Sequence, residues 1–519
     1  MTARELPARI DGYGEVRPYA GYTLPAPARP GDLLDPARPG DPPEATRAGS
    51  NGRERKLLPS IAHAFDACAV RDGATLSFHH HLRNGDQVLN LVLAEAAARG
   101  LRGLTVAPSS LFPVHAPLVE HLRSGVVRRI VTAYMSGPVA EAVSHGVLAL
   151  PVVMQTHGGR ARAITSGELP IDVAFIAAPA ADAFGNVNGV DGRAACGVLG
   201  YAMVDARYAA RVVAITDHLL PHPLCPIDIA EDEVDFVVNV DSIGDPQGIL
   251  SGTTRPTTEP VGLQIAANAA RVIEASGLLG PDFSFQTGAG GVSLAVADEL
   301  RSVMRRHGVQ GSFAAGGVTG YLCDMLDEGL FRTIFDVQCF DLRAIDSYRR
   351  DPRHMAMSAS LYANPHGRSA VVDRLSTMIL GAAEVDLDFN VNVTTGSSGR
   401  ILGGSGGHAD TADGAQLAIV TTRLAAGGGP KIVDRVGCIT TPGATIDVVV
   451  TEAGIAVNPR RADLAQRLAS AGLNVQPIEA LRALVGLAPA RVRDANAGRV
   501  VAVVEYRDGT VIDVVRAVV

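Results

Sequence analysis

The stretch FSFQTGAGGVSLAVADEL, residues 283–300, joins a short apolar run to a glycine-rich turn and a helical pattern. The turn contains Gly288, Gly290 and Gly291, and apolar residues at helical spacing begin directly after it. Glycines allow a backbone to approach a ligand closely, and the first turn of a helix offers unpaired N–H groups to an anion or a polarised oxygen. The stretch therefore predicts a strand, a ligand-facing turn and a helix. A tight turn packed for its own sake would show the same pattern.

A second stretch, TLSFHHHLRNGDQVLNLVLAEAAA at residues 75–98, repeats this pattern nearer the start of the chain. Ser77-Phe78-His79 aligns with Ser284-Phe285-Gln286, and EHLRSGVVRRIV at residues 120–131 parallels DMLDEGLFRTIF at residues 324–335. Internal similarity over about sixty residues indicates a duplication, that is, two halves with the same fold. Ligands in such α/β units bind at the carboxyl ends of parallel strands, where both stretches turn.

Short apolar runs alternate with helical patterns, which predicts an α/β fold with largely parallel sheets. The strands predicted in the first half are residues 75–79, 103–107, 126–133, 152–155, 173–177, 212–216 and 236–240. Residues 500–519 predict a β-hairpin with Asp508-Gly509 at its turn. We divide the chain into a Pro/Gly-rich N-terminal arm (residues 1–58) and two related domains (residues 59–255 and 256–519).

Composition narrows the class of protein. The formal net charge of −8 disfavours nucleic acid and anionic membranes as partners. No apolar run is long enough to span a bilayer, and the first residues show no signal-peptide pattern. The six cysteines are scattered and form no C-x-x-C motif, so we expect free thiols in a reducing compartment and a cytoplasmic location.

Histidines and arginines cluster after two of the predicted strands. These candidate substrate-binding residues are His79, His80, His81, Arg83, His157, Arg160 and Arg162. Arginines on a glycine-rich turn suit bidentate binding of a carboxylate or phosphate. A zinc site would need further ligands at a recognisable spacing, so no metal is expected. The alternatives are a hydrogen-bonded structural histidine triplet and ordinary solvated arginines.

The sequence GGSGGHAD, residues 403–410, is a second glycine-rich loop. No Lys-Ser or Lys-Thr follows, which excludes a P-loop, and no G-x-S-x-G elbow is present. Glu384 lies about a strand length before this loop. It is either a nucleophile or a structural acid, and we favour a structural or substrate-orienting role.

Motifs spread along the chain resemble those of the citrate lyase alpha subunit family. In order, they are SFHHHLRNGD, APSSL, HGGRARAI, SGE, DVAF, APAADAFGNVNG, GYAMVDARYA, DSIGDPQGI, FSFQTGAGG, FAAGGVTG, EVDLDFNVNV, GGSGGHADTA and DVVVTEAGIAVNPRR. The resemblance covers about residues 57–519 and leaves out the Pro-rich arm. It implies a coenzyme-A-transferase-like (NagB/RpiA-like) fold with two related domains.

The resemblance also implies an activity and partners. The alpha subunit exchanges the acetyl group on a carrier-protein thiol for citrate and releases acetate, and it can use a coenzyme A thioester instead. The co-substrate is therefore the prosthetic group of the acyl carrier protein or coenzyme A, and no cofactor is bound in the chain itself. The implied partners are a beta subunit, which cleaves the citryl carrier, and the acyl carrier (gamma) subunit. We also expect a homo-oligomer.

One departure from the wider superfamily bears on mechanism. Many coenzyme A transferases carry a nucleophilic glutamate in an H-S-E-M segment, whereas this chain has FAAGG at residues 313–317. The resemblance thus implies acyl exchange in a ternary complex through a mixed anhydride, without a glutamyl-enzyme. On this hypothesis the histidines and arginines orient citrate, and backbone N–H groups of the glycine loops hold the thioester. The residues assigned to the thioester are Gly288, Gly290, Gly291, Gly404, Ser405, Gly406, Gly407 and His408.

Three alternatives stay open from the sequence. The first is a coenzyme A transferase or thioester hydrolase in which Glu384 is the covalent nucleophile. The second is a citramalate lyase alpha subunit, with the same chemistry on a different acid. The third is a non-catalytic scaffold that only docks the other subunits.

Overall fold

The apolar runs of the sequence form two large β-sheets flanked by helices. The computed structural model describes residues 6–21, 55–250, 257–288, 290–486 and 498–518. We call residues 55–250 the first half and residues 257–486 the second half. In the described part of the chain no helix is both long enough and apolar enough to cross a membrane.

The N-terminal segment and the first half contribute thirteen strands and six helices. The strands are β1 (Arg9–Ile10), β2 (Gly14–Glu15), β3 (Leu57–Leu58), β4 (Thr75–Phe78), β5 (Leu104–Pro108), β6 (Val127–Thr132), β7 (Val152–Met154), β8 (Val173–Ala178), β9 (Ala180–Asp182), β10 (Val187–Asn188), β11 (Arg211–Thr216), β12 (Leu219–Leu220) and β13 (Phe236–Asn239). The helices are α1 (Ile61–Ala67), α2 (Val88–Ala98), α3 (Leu118–Arg123), α4 (Pro138–Ser144), α5 (His157–Thr165) and α6 (Gly200–Tyr208).

The second half and the C-terminal hairpin supply the remaining elements. The strands are β14 (Ser284–Thr287), β15 (Gly311–Val318), β16 (Phe331–Cys339), β17 (His354–Ala356), β18 (Thr377–Gly381), β19 (Glu384–Asp386), β20 (Val391–Asn392), β21 (Leu417–Thr421), β22 (Ala425–Ala426), β23 (Gly429–Pro430), β24 (Ile432–Val433), β25 (Val448–Val450), β26 (Ile455–Val457), β27 (Val500–Glu505) and β28 (Val511–Arg516). The helices are α7 (Pro260–Ala275), α8 (Gly291–His307), α9 (Gly320–Asp327), α10 (Leu342–Arg350), α11 (Ala359–Ala363), α12 (His408–Gly414), α13 (Ala462–Ser470) and α14 (Ile478–Ala483).

The two large sheets share one strand order. The first runs β28-β27-β7-β6-β5-β4-β8-β11-β13-β3, and the second runs β17-β16-β15-β14-β18-β21-β25-β26. The stretch β7-β6-β5-β4-β8-β11-β13 corresponds strand for strand to β17-β16-β15-β14-β18-β21-β25, and neighbours in these stretches are parallel. The predicted α/β class and the internal duplication are therefore confirmed.

The duplication extends to a turn that follows β9 and β19. The sequences are DAFGNVN at residues 182–188 and DLDFNVN at residues 386–392. In each, the first aspartate accepts backbone N–H bonds from residues two and four positions later, at 2.9–3.2 Å. The residue three positions after the aspartate has a positive φ, 106° at Gly185 and 65° at Phe389. This repeated motif is therefore turn chemistry.

The C-terminal hairpin extends the sheet of the first half. Its strand β27 pairs in parallel with β7, and β28 pairs antiparallel with β27. Residues 6–21 lie against this hairpin, where Ile10 packs on Val503 and Val511. The Tyr13 hydroxyl donates to Glu505 Oε1 at 2.8 Å. The hairpin itself was predicted, but its place beside β7 was not, and our domain boundaries stay a prediction.

Glycines allow the two halves to approach each other closely. A Cβ atom at Gly200, the first residue of α6, would lie 2.6 Å from Val337 O and would overlap Met357 O. At Gly158, in α5, a Cβ atom would overlap Ala363 O. Since real Cβ atoms do not come so close to other atoms, any side chain at these positions would push the halves apart.

We expect Gly200→Ala to lower the free energy of unfolding by about 1–3 kcal/mol, because the added methyl group overpacks a contact between the halves. The matched control is Gly280→Ala, where a Cβ atom would meet nothing within 4 Å, and its effect should stay below about 0.5 kcal/mol. Urea unfolding followed by circular dichroism measures both. Equal stabilities of the two variants would show that the halves do not meet at Gly200.

Candidate active site

Residues that follow strands of both sheets meet between the two halves. His80 lies just beyond β4, and His157 begins α5 after β7. From the second half, Gln338 on β16 donates to His80 O at 2.8 Å. The ring centroids of His80 and His157 are 5.6 Å apart, and Tyr201 of α6 lies 4.6 Å from His157 and 4.7 Å from His80. The structure thus brings the two predicted histidine clusters together at the carboxyl ends of the strands.

These histidines are buried and neutral. Burial lowers the pKa of His80 and His81 well below the usual value of an imidazole. Burial, and then the charges of Arg160 and Arg83, lower the pKa of His157 to about 3. His81 Nε2 and His157 Nδ1 are sealed from solvent and have no hydrogen-bond partner among the described residues. Near neutral pH the cluster therefore offers neutral donors and acceptors rather than cations.

Arg83 is the buried cation of the site. It is 8% exposed, and its guanidinium carbon lies 4.9 Å from the ring centroid of Phe112 and 5.1 Å from that of Phe340. No carboxylate of the described residues forms an ion pair with it, and Nε has no hydrogen-bond partner there. Its φ of 51° is unusual for a residue other than glycine. Burial lowers its pKa, yet a guanidinium stays charged, so a bound anion would relieve an uncompensated buried charge.

Arg160 has a carboxylate partner inside the chain. Its two terminal nitrogens donate to Asp205 at 2.8 and 3.1 Å, and one also donates to Ala107 O at 2.9 Å. His79 Nε2 bonds the same carboxylate, as does Ser77 Oγ at 3.1 Å. Burial alone would raise the pKa of Asp205, but Arg160 and His79 oppose it and hold the pKa at about 2. This network joins α5 and α6 to the ends of β4 and β5.

Arg162 is also engaged. Its terminal nitrogens donate to the two oxygens of Glu168 at 2.6 and 3.0 Å, and its side chain is 3% exposed. Both arginines that the sequence predicted as carboxylate clamps therefore pair within the chain. Arg83 alone among the three predicted arginines has no such partner in the described residues.

The glycine loop at residues 403–407 reaches from the second half into the first. Gly406 O accepts a hydrogen bond from His157 N at 2.8 Å, and Gly406 N donates to Ala133 O at 3.1 Å. A Cβ atom at Gly404 would lie 2.5 Å from Ala133 O, and one at Gly407 would lie 2.5 Å from the Tyr362 hydroxyl. Glycine at positions 404 and 407 therefore lets the loop lie against the histidine cluster.

Ser405 and His408 make hydrogen bonds at the end of this loop. Ser405 Oγ accepts from Ala409 N at 3.2 Å. His408 Nδ1 bonds Thr441 Oγ1 at 2.7 Å, and Nε2 bonds Gly381 O at 2.9 Å. Burial lowers the pKa of His408 to about 4. These side chains hold the loop in place.

The other glycine turn precedes α8. Gly290 caps this helix of 17 residues, and its first turn contains no acidic residue. A Cβ atom at Gly288 would meet only Ile379 O, at 3.4 Å, and Ser293 Oγ, at 4.0 Å. These are ordinary van der Waals distances, and Gly288 N donates to Ile379 O at 2.9 Å, while Gly291 begins the helix. Such a turn can direct N–H groups at a ligand.

Glu384 lies in the hairpin formed by β19 and β20. Its Oε2 accepts from Asn392 Nδ2 at 2.9 Å and from Gly437 N at 3.2 Å. In the duplicated hairpin of the first half the equivalent position is Ala180. No hydrogen bond or ion pair in the described residues links Glu384 to the histidine cluster.

Several site residues were not singled out from the sequence. They are Phe112, Tyr201, Gln286, Gln338, Phe340, Tyr362 and Asp410. Gln286 could have been found, because it aligns with His79 in the duplication. Asp410 accepts from Thr156 Oγ1 at 2.7 Å and from Gly158 N at 3.0 Å, and burial raises its pKa to about 6. The aromatic residues carry no local sequence signal, since their role depends on tertiary contacts.

Comparisons with known proteins agree with this geometry. The family model described as citrate lyase, alpha subunit (CitF), matches residues 54–518. The citrate lyase alpha chain of Escherichia coli (strain K12) is 48% identical over 477 residues, which cover 92% of this chain and 94% of that protein. A solved structure from Streptococcus mutans, described as the alpha subunit of citrate lyase in complex with citrate, is 45% identical, with a TM-score of 0.87, and covers 91% of this chain and 93% of that one.

A more distant structure supports the fold. The malonate decarboxylase alpha subunit from Acinetobacter baumannii has a TM-score of 0.62 at 16% identity and covers 83% of this chain and 86% of that one. At this identity the likeness concerns the fold alone. The predicted coenzyme-A-transferase-like fold is confirmed.

We expect Asp205→Asn to lower the free energy of unfolding by about 3–5 kcal/mol, because Arg160 would remain buried without a counter-charge. The control is Glu120→Gln, since Glu120 is 75% exposed and lies 4.0 Å from Arg123, and this change should cost less than about 1 kcal/mol. Urea titration at neutral pH measures both. If Asp205→Asn lowered the free energy of unfolding no more than Glu120→Gln does, the hydrogen-bond network around Asp205 would not have the stabilising role assigned to it.

Stability should depend on pH through His157. Its folded-state pKa is about 3, and its unfolded-state value is about 6.5. Between these two values His157 is protonated in the unfolded chain and neutral in the folded protein. The free energy of unfolding therefore decreases as pH falls from about 6.5 towards 3. His157→Gln should reduce this slope by about 1.4 kcal/mol per pH unit between pH 6 and 4, as urea unfolding would measure. The exposed His63→Gln serves as control, and equal slopes in both variants would contradict the assignment.

Proposed function

This chain belongs to the citrate lyase alpha subunit family, and on that premise we propose that it transfers a carrier thiol from acetyl to citrate. It is an enzyme subunit of the coenzyme A transferase class. In the proposed reaction, acetyl-acyl-carrier protein and citrate give citryl-acyl-carrier protein and acetate. Acetyl-coenzyme A can replace the acetyl carrier. The observation that carries the proposal is the buried Arg83, which has no carboxylate partner in the described residues and lies beside neutral histidines at the junction of the halves.

Arg83 provides the charge that an anionic substrate needs. Its guanidinium lies between Phe112 and Phe340, so its direction is restricted while its terminal nitrogens have no carboxylate partner in the described residues. A planar guanidinium binds a carboxylate through two parallel hydrogen bonds. The Streptococcus mutans relative was solved with citrate, which favours citrate as the acid bound here. We propose that Arg83 binds one citrate carboxylate, that His81 and His157 contact the rest of the molecule, and that His80 faces the carbonyl group that is attacked.

The two glycine loops suit the thioester. Gly406 lies against His157, and Gly290 caps the N-terminus of α8. Backbone N–H groups at such loops can stabilise the oxyanion that forms when a thioester carbonyl is attacked. We propose that the loops hold the thioester beside the bound citrate, so that the two acyl partners react in line.

The mechanism that we favour requires no covalent enzyme intermediate. Residues 313–317 contain no carboxylate. Nearby Asp205 and Asp410 are fully buried and already accept several hydrogen bonds. A citrate carboxylate therefore attacks the acetyl thioester, expels the thiolate and forms a mixed anhydride. The thiolate then attacks the citryl carbonyl and expels acetate, so that the sequence balances without a resident cofactor.

The family assignment also suggests the assembly. We propose that the chain works with a citrate lyase beta subunit, which cleaves the citryl carrier, and with an acyl carrier subunit. A homo-oligomer and a cytoplasmic location belong to the same proposal. The six cysteines all lie in the described residues and form no disulfide there.

A transferase assay tests the proposal directly. The purified chain is given acetyl-coenzyme A with citrate, and then with citramalate, and the acyl product is identified by mass spectrometry. We expect citryl-coenzyme A and acetate. Preferential formation of citramalyl-coenzyme A would show that the acid substrate is citramalate rather than citrate. Absence of product from either acid, also with the acetylated carrier protein, would favour a scaffold.

Arg83→Gln should raise the citrate KM by at least about thirtyfold, because truncating one partner of a buried charge pair costs about 2–5 kcal/mol. The KM for acetyl-coenzyme A should stay unchanged. The control is Arg128→Gln on β6, which is exposed and outside the site, and which should leave both constants unchanged. An unaltered citrate KM in Arg83→Gln would refute the carboxylate contact.

Borohydride trapping distinguishes a covalent Glu384 intermediate from the mixed-anhydride mechanism. If Glu384 were the nucleophile, incubation with acetyl-coenzyme A would form a glutamyl thioester, and borohydride would reduce that thioester to an alcohol. The Glu384→Gln variant would then show neither the reduced side chain nor the activity. We expect no label on Glu384 and activity retained in the variant. A trapped glutamyl adduct would replace the mixed-anhydride route.

A further inference from the structure

One hydroxyl group decides which nitrogen of His80 carries the proton. Ser109 follows β5, and its side chain is fully buried beside His80. Ser109 Oγ lies 2.6 Å from His80 Nδ1 and 3.2 Å from the backbone N of His80. The position of Ser109 is itself restrained, because its backbone N donates to Phe78 O at 3.0 Å at the end of β4.

The direction of these hydrogen bonds follows from the donors available. A backbone N–H can only donate, so Ser109 Oγ accepts from it. The hydroxyl proton of Ser109 then needs an acceptor, and among the described residues only Nδ1 of His80 lies within reach. If Nδ1 carried a proton instead, the buried hydroxyl proton would have no acceptor, which is unfavourable. Nδ1 is therefore the acceptor, and a neutral imidazole then carries its proton on Nε2.

The other nitrogen of His80 is free for a ligand. No described residue bonds Nε2, and it is not among the polar atoms sealed from solvent. The ring lies 6.0 Å from Phe112, which also contacts the Arg83 guanidinium. Burial and the neighbouring His157 keep the pKa of His80 well below its usual range, in agreement with a neutral ring. The N–H donor and the Arg83 guanidinium thus both lie beside Phe112.

We propose that His80 donates a hydrogen bond from Nε2 to the oxyanion of the reaction, and that Ser109 is the positioning residue that fixes this tautomer. The inference rests on the proposed transferase function. When the citrate carboxylate attacks the thioester carbon, the carbonyl π electrons move to oxygen, and Nε2–H stabilises that oxygen without giving up its proton. When the tetrahedral intermediate collapses, the carbon–sulfur bond breaks and the thiolate leaves. His80 is therefore a neutral electrophile in this step rather than a general base.

Nuclear magnetic resonance tests the tautomer independently of activity. The intact chain is labelled with ¹⁵N-histidine, and long-range ¹H–¹⁵N correlations distinguish Nε2–H from Nδ1–H. The His80 signals among the 14 histidines are assigned by their loss in His80→Gln. We expect Nε2–H in the wild-type chain, in Ser109→Thr and in the neighbouring control Ser110→Ala. In Ser109→Ala the other tautomer should become populated. An Nδ1–H form or an imidazolium in the wild-type chain would overturn the proposal.

Kinetics test the donor role with acetyl-coenzyme A and citrate. His80→Ala should lower kcat about 10²–10³-fold with little change in KM, as expected for a lost oxyanion donor. His80→Gln should recover most of this loss, because its amide N–H can donate but cannot act as a base. Ser109→Ala should lower kcat about tenfold or more, and Ser109→Thr should restore it.

Two results separate the possible failures. A wild-type kcat in His80→Ala, or equal loss in His80→Gln and His80→Ala, would overturn the donor role while leaving the transferase function intact. Absence of transferase activity in the wild-type chain would overturn the proposed function and the donor role with it. The tautomer measured by resonance would then still show whether Ser109 controls His80.

Discussion

The buried carboxylate of Asp205 holds the first half of the site together. It accepts hydrogen bonds from Arg160 on α5, His79 after β4 and Ser77 within β4, while Arg160 also reaches the end of β5. Three chain segments that carry site residues thus depend on one buried anion. Such an ion pair pays a large desolvation penalty, which only good geometry and additional hydrogen bonds offset. Here Asp205 accepts hydrogen bonds from three side chains, which offset that penalty.

The duplication explains how the site acquired its asymmetry. Corresponding strands carry different polar groups: His79 follows β4, whereas Gln286 lies at the end of β14. The first half supplies the buried ion pair and Arg83, and the second half supplies amides and the glycine loop around Gly406. Two copies of one fold therefore contribute different polar groups to the same junction. A glycine-rich loop can enter this junction without displacing the histidines.

The sequence predicted much of the fold and part of the site. All seven strands predicted in the first half are present, because short apolar runs between helical patterns are characteristic of buried parallel strands. His80 and Arg83 were expected in the site, and the structure places them together. The partners of Arg160 and Arg162 could not be foreseen, since Asp205 lies 45 residues further along the chain from Arg160 and a glycine-rich motif does not indicate burial. The position of the C-terminal hairpin beside β7 likewise depends on a contact between residues far apart in sequence.

The electrostatics of the site fit a reaction that moves negative charge without a proton transfer. The chain is acidic as a whole, with a net charge of −8, so an anion is drawn to this gap by local groups rather than by the overall field. Arg83 supplies one fixed positive charge, and the imidazoles of His80 and His157 stay neutral because burial lowers their pKa. Neutral N–H donors can hydrogen-bond the carboxylate, the oxyanion and the thiolate of the proposed reaction in turn. A carboxylate side chain would repel these anions, and an imidazolium could protonate them. In the proposed reaction, Arg83, which has no carboxylate partner in the described residues, and neutral N–H donors would stabilise each anionic species in turn without binding any of them too tightly to leave.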